Sequence, residues 1–168
     1  MDQIPHLGDD EEKKSLRFQL SDLDEFMEWA SDDRVIRFLR EPRTDRAAAL
    51  GHLKGRIMPH PWYRAICVED RPVGWVSATP APDDSLHQAS LGYGLAYDHR
   101  GRGIMTAVVK KVVSVLFEEW PQLERVEAFA AAENGRSQRV LDKAGFTREG
   151  VSRRYAMPRG VSRDVPVH

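Results

Sequence analysis

Residues 91–120 read LGYGLAYDHRGRGIMTAVVKKVVSVLFEEW, and the rest of the chain is organised around them. The first six, from Leu91 to Ala96, are apolar or aromatic with Gly92 and Gly94 among them, the pattern of a strand that something approaches closely. Arg100-Gly101-Arg102-Gly103 then turns the chain, with glycines free to take positive φ. From Ile104 onward Met105, Val108, Val109, Val112 and Leu116 recur at helical spacing, and Pro121 ends the run. A strand, a glycine turn and a helix start make an anion site. N–H groups of a first helical turn lack intrahelical acceptors, the helix dipole adds roughly half a positive charge, and Arg100 and Arg102 add full ones. A diphosphate fits. The Lys-Ser/Thr of a P-loop is missing, and so is the third glycine of a dinucleotide turn, which argues against both of those ligands.

Outward from this stretch, 168 residues with 41% hydrophobic content suffice for one domain with a real core. Lys+Arg number 25 against Asp+Glu 26, a net charge of −1, so no global field points to nucleic acid or to a membrane surface. One cysteine, Cys67, precludes an internal disulfide and fits a reducing compartment. No apolar run approaches 18 residues and the start of the chain is acidic, so the expectation is a soluble cytoplasmic protein, with a nuclear one also compatible.

Residues 1–14 read as a flexible polar lead-in and 15–168 as a single domain. A short strand is expected at 16–18, then a helix capped by Ser21 with Phe26, Met27 and Trp29 on its apolar face. Further helices are expected at 33–39 and 45–57. Strands at 62–68 and 73–79 flank a hairpin turn at Glu69-Asp70-Arg71-Pro72. The strand 91–96 and the long helix follow, then a strand at 125–131, a helix at 135–144 closed by Gly145, a strand at 151–155 and a last strand at 161–168. This order predicts an α/β (α+β) fold with a mixed sheet.

The turn resembles the acetyl-CoA loop of the GNAT acetyltransferases, Arg/Gln-x-x-Gly-x-Gly/Ala, matched by Arg100, Gly103 and, less closely, Met105. Downstream, Asn134-x-x-Ser137 followed by Leu141-x-Lys143-x-Gly145-Phe146 resembles the second signature of that family, one helix and one strand away. Met105-Thr106 is similar to the branch of ribosomal-protein alanine N-acetyltransferases. The resemblance spans nearly the whole chain. It implies a mostly antiparallel sheet of six to seven strands, flanked by helices and splayed between the fourth (91–96) and fifth (125–131). Acetyl-CoA would lie there, its pantetheine arm along Gly94, Leu95, Ala96 and Asn134. The pyrophosphate would sit over Arg100, Gly101, Arg102, Gly103, Ile104, Met105 and Thr106. No metal is implied.

The family's chemistry is direct attack of an amine on the thioester, with the oxyanion held by a backbone N–H and the thiolate protonated as it leaves. Where many members carry a proton-donating tyrosine, seven residues after the asparagine, this chain has Leu141. The resemblance therefore makes Ser137 the general acid, with Tyr155 a second donor. Where histone-type members carry a basic glutamate, this chain has Ser90, and the nearest alternatives along the sequence are Glu127 and His87. A lysine amine is roughly 0.04% neutral at pH 7 and an α-amine roughly 10–15%. Without a base at position 90 the expected acceptor is a protein or peptide α-amino group, or another weakly basic amine. A non-catalytic acetyl-CoA binder with the same shell is the alternative, and a phosphate clamp for nucleic acid is disfavoured by the net charge. Trp29, Trp62, Trp75 and Trp120 read as core, Cys67 as a strand residue and His60 as a loop residue.

Overall fold

The structure is a computed structural model that describes residues 17–37, 45–82, 87–156 and 162–168. By contact they form two compact units, Met1–Ser77 with Tyr93–Ile104, and Ala78–Gly92 with Met105–His168.

In the first unit, a 3-10 turn at Leu20–Asp22 leads into helix α1, Leu23–Ala30. The Asp22 carboxylate reaches back to the Gln19 N–H at 2.8 Å, so the entry is fixed at Gln19, ahead of the Ser21 cap that the sequence suggests. The strand expected at 16–18 is not present at Arg17 and Phe18, and Leu16 lies outside the described residues. Phe18 is instead a core anchor, edge-on to Phe26 at 5.8 Å and to Tyr63 at 6.0 Å between ring centroids. So short an apolar run has no period by which to tell a strand from a single anchor.

Helix α2 is Asp33–Ile36, capped by Asp32 accepting the Arg34 N–H at 2.9 Å; its expected extension through Phe38 and Leu39 falls outside the described residues. Helix α3 is Arg46–His52, capped by Asp45 on the Ala48 N–H at 2.7 Å, and it runs on as a π turn over Leu53–Ile57. The apolar faces of these helices meet in one cluster, with Leu23, Phe26, Trp29, Val35, Ala49, Leu53, Ile57 and Ala65 all buried. Burying each large side chain there contributes roughly 1.5–3 kcal/mol.

Strands β1, Tyr63–Val68, and β2, Arg71–Pro80, pair antiparallel. Glu69 and Asp70 carry φ of 51° and 60°, so the hairpin closes in two residues, as a twisted turn of this kind demands. Pro72, expected in the turn, is a strand residue opposite Cys67, beside a register shift at Ile66/Cys67 that accommodates its missing N–H.

Strand β3 is Gln88–Leu95, starting three residues before the predicted run. Its bonds to β2, Ala96 N–H to Val73 O at 2.7 Å and Ala81 N–H to Gln88 O at 3.0 Å, set those two strands antiparallel. In the second unit, β4, Arg125–Ala128, runs parallel to β3, from Gln88 opposite Arg125 to Leu91 opposite Ala128. Helix α4, Ile104–Glu119, buries Val108, Val109, Val112 and Leu116, the residues whose spacing predicted it. Helix α5, Gly135–Ala144, ends at Gly145 with φ 94°, Phe146 N–H bonding Leu141 O at 3.0 Å and Gly145 N–H bonding Asp142 O at 3.1 Å. Strands β5, Gly150–Ala156, and β6, Ser162–Val167, form an antiparallel pair.

The described strands thus make a mixed four-stranded sheet, ordered β1-β2-β3-β4, and a separate pair β5-β6, where the sequence led us to expect one sheet of six to seven. The α+β class stands. The count differs because β4 stops at Ala128 rather than 131, and Phe129 meets β6 only by an isolated bridge to Val167. Among the described residues no helix is long and apolar enough to cross a membrane.

Candidate active site

The glycine turn adopts the conformation its sequence requires. Gly101 and Gly103 both have φ of 76°, where a side chain is strained, and at either residue a Cβ would meet nothing within 4 Å. Ile104 and Met105 are buried and fasten the start of α4, whereas Arg102 is exposed. Among the described residues, no turn or cap hydrogen bond takes the N–H groups of residues 101–106. A row of backbone donors beside an exposed guanidinium is what an oligophosphate needs.

The Arg100 guanidinium is engaged within the protein. Its Nε donates to Leu95 O at 3.2 Å and its Nη1 to Arg34 O at 3.4 Å, and the guanidinium lies 5.4 Å from the Tyr97 ring centroid. Arg34 lies over the same ring at 3.9 Å and is itself held by Asp32 at 2.6 Å. These bonds hold the Asp32 carboxyl low, at about 2. Arg34 and Tyr97 were missed in the sequence because Arg34 stands 66 positions from Arg100, with no local pattern joining them.

Gly94 and Leu95 close β3, and Ala96 follows it. Gly94 is required by its neighbour, since a Cβ there would come within 2.6 Å of Trp75 Nε1. The Ala96 N–H is already given to Val73 O, and Leu95 O already takes Arg100.

Asn134 and Ser137 belong to the second unit. Asn134 caps α5, its Oδ1 accepting the Ser137 N–H at 3.2 Å, and the Ser137 side chain is half-buried in the first helical turn. Leu141 is fully buried, a core side chain with no proton to give. Tyr155 stacks on Phe129 at 5.2 Å between centroids.

The two alternatives for a base are separated by their surroundings. His87 is 59% exposed, with Nδ1 3.6 Å from Glu124. Glu127 is only 14% exposed, directly opposite Ser90 in the β3–β4 ladder, and Ser90 Oγ donates to Glu127 Oε1 at 3.2 Å. His60 accepts the Trp62 N–H on Nδ1 at 3.1 Å, and burial pushes its pKa down. Burial likewise pushes the Cys67 thiol up to about 11, so it is protonated and inert at neutral pH. Among the described residues no group of three or more His, Cys, Asp or Glu is placed to hold a metal ion.

Residues 16–147 match the family description "Acetyltransferase (GNAT) domain". The chain belongs to the GNAT acetyltransferase family. Its relatives include "Probable N-acetyltransferase YjcK" of Bacillus subtilis, 42% identical over 59% of this chain and 54% of that protein. "Putative ribosomal N-acetyltransferase YdaF" of the same organism is 35% identical over 49% of this chain and 45% of that protein. The chain thus spans about half the length of the curated relatives it matches. The solved structure of RimL, a ribosomal L7/L12 alpha-N-protein acetyltransferase in complex with coenzyme A, superposes with a TM-score of 0.76. It covers 90% of each chain at 20% identity, a likeness of fold alone.

Proposed function

We propose that the protein is an acetyl-CoA-dependent N-acetyltransferase that passes the acetyl group directly to a primary amine within a ternary complex. The observation that carries this reading is the turn at the head of α4. In this GNAT chain, Gly101 and Gly103 stand at φ 76° with no Cβ in the way, and among the described residues no turn bond takes the neighbouring N–H groups. In this reading the pyrophosphate lies over the N–H groups of residues 102–106 with Arg102 beside it. Arg100 braces the turn through Leu95 O and Arg34 O, and the pantetheine arm runs along Gly94, Leu95 and Ala96. Ser137 is the proton donor to the leaving thiolate. Most of the acceleration comes from positioning and from backbone dipoles aimed at developing charge. Residues 15–168 act as one catalytic domain, working in the cytoplasm.

The acceptor we propose is the α-amino group of a peptide or protein, which places the chain beside the ribosomal-protein alanine acetyltransferases. Two things support this: Ser90 stands where histone-type members carry a glutamate, and YdaF bears a ribosomal name. An amine must be neutral to attack, and the neutral fraction of an α-amine at pH 7 exceeds that of lysine by roughly 300-fold, worth about 3.4 kcal/mol. No observation favours a non-catalytic binder.

Calorimetric titration with acetyl-CoA, beside CoA and ATP, followed by an amine panel, tests both levels. We expect micromolar binding of acetyl-CoA and silence from ATP. Absence of binding removes the enzyme reading. N-terminal peptides should turn over faster than matched N-acetylated peptides carrying one lysine, and the reverse order removes the α-amine assignment alone.

A further inference from the structure

We propose that the indole N–H of Trp75 is a further binding donor of the acetyl-CoA cradle, giving its hydrogen bond to a carbonyl oxygen of the acetyl-pantetheine arm. This rests on the N-acetyltransferase reading above and adds a side chain to a cradle so far built from backbone. Trp75 lies on β2 and is half-buried, where its sequence pattern reads as core. The pyrrole edge of its ring lies against Gly94 of β3. A Cβ at Gly94 would meet Trp75 Nε1 at 2.6 Å, Cε2 at 3.1 Å and Cδ1 at 3.4 Å, so the nitrogen is the part of the ring nearest that position. Glycine at 94 is what lets the ring come down on the backbone along which the arm runs.

The ring is held while its donor stays open. Trp75 stacks on Tyr63, with centroids 5.3 Å apart and planes 21° from parallel. Tyr63 in turn stands edge-on to Phe18 at 6.0 Å and to His60 at 5.6 Å. These contacts fix the plane of the indole without using its N–H. Among the described residues no hydrogen bond takes that N–H, and it is not sealed from solvent as the unpartnered Trp29 Nε1 is. An indole nitrogen only donates, so the group is satisfied by an acceptor and by nothing else.

The cradle has a use for such a donor. The Ala96 N–H is given to Val73 O at 2.7 Å, and Leu95 O takes Arg100 Nε at 3.2 Å. Tyr63, Trp75 and residues 94–100 all belong to the first unit. The arm carries amide and thioester carbonyls and, laid over Gly94, excludes water from the indole edge. A donor left unpaired under it is costly, and a carbonyl of the arm is the acceptor that the ligand itself brings. The N–H keeps its proton throughout, so the balance of the reaction is untouched. On an amide carbonyl it orients the arm; on the thioester oxygen it also stabilises the negative charge that develops there.

Trp75→Phe keeps an aromatic ring beside Tyr63 and removes the donor. Calorimetry measures its affinity for acetyl-CoA and for CoA against the wild type, and heteronuclear NMR follows the indole N–H signals of the four tryptophans. We expect Trp75→Phe to bind acetyl-CoA about 3–10-fold more weakly, the loss of one hydrogen bond between neutral groups. In the wild type, the signal missing from Trp75→Phe should move downfield when acetyl-CoA is added. An equal loss on CoA assigns an amide carbonyl as the acceptor, and a loss on acetyl-CoA alone assigns the thioester oxygen. Unchanged affinity for both, or an indole signal that stays in place at saturation, overturns the proposal. If Trp75→Phe does not fold, the wild type decides: one indole signal moving downfield at saturation upholds the proposal, and none moving overturns it. A wild type that binds neither acetyl-CoA nor CoA overturns instead the reading on which the proposal rests.

Discussion

Two arginines two positions apart stand in different surroundings. Arg100 spends its guanidinium on Leu95 O, Arg34 O and the Tyr97 ring, so it fixes the shape of the turn. Arg102 is exposed beside the N–H row. Arg102→Glu should therefore weaken acetyl-CoA by at least about tenfold through charge repulsion while leaving the melting temperature in place. Arg100→Ala should lower the melting temperature by several degrees, since two bonds from a charged donor are worth about 1.5–3 kcal/mol each before solvent at this partly open site weakens them, and about 1 kcal/mol is 2–4 °C in a chain of this size. Calorimetry and thermal melts on the two variants check this. If Arg102→Glu binds acetyl-CoA normally, the pyrophosphate belongs elsewhere. Sequence spacing could mark both arginines as cationic but could not tell their surroundings apart, because the difference is made by Arg34 and Tyr97.

The elements differ in how clearly the sequence announced them. Helices α4 and α5 were legible to their ends, because a full apolar face, a stop at Pro121 and a terminal Gly145 are local signals. Strand limits were not: β4 was read to 131, yet after Ala128 the chain turns its pairing to the C-terminal segment, with Ala128 and His168 exchanging bonds at 2.8 and 3.0 Å. Such a switch is decided by a partner some 40 positions away, which no local pattern records. Two glycines test how elements are held. Gly145 has open space around a Cβ position but φ of 94°, so Gly145→Ala meets backbone strain only and should cost about 1–2 kcal/mol. At Gly74 on β2 a Cβ would come within 2.4 Å of Gly94 O and 3.1 Å of Leu95 Cα. Backbone cannot step aside as a flexible side chain can, so Gly74→Ala should destabilise more than Gly145→Ala, by at least about 3 kcal/mol. Urea unfolding of both variants gives the ranking, and a milder Gly74→Ala would mean that β2 and β3 can part without cost.

At the scale of the whole molecule, the family was readable because two short motifs sat at the right separation, and glycine and arginine chemistry is local. What surrounds Ser90 was not readable. Ser90 and Glu127 are 37 positions apart and meet only because β3 and β4 pair in one register. The same dependence on folding governs the response to acid. His60 in one unit and His168 in the other both have pKa values pushed down, chiefly by burial that disfavours the imidazolium. A histidine whose folded pKa lies below its unfolded value of about 6.5 leaves stability whole above that pH. As the pH falls below it, the unfolded chain takes up protons that the native chain refuses, and stability declines until the folded pKa is reached. We therefore expect the urea midpoint to hold between pH 8 and 7 and to fall from pH 6.5 to 5.5. His60→Gln should flatten that fall by removing one of the two contributions, since glutamine can still accept the Trp62 N–H without a proton to gain. A midpoint that rises toward pH 5.5 would show that the acidic groups of the chain, and not these two histidines, govern its stability in mild acid.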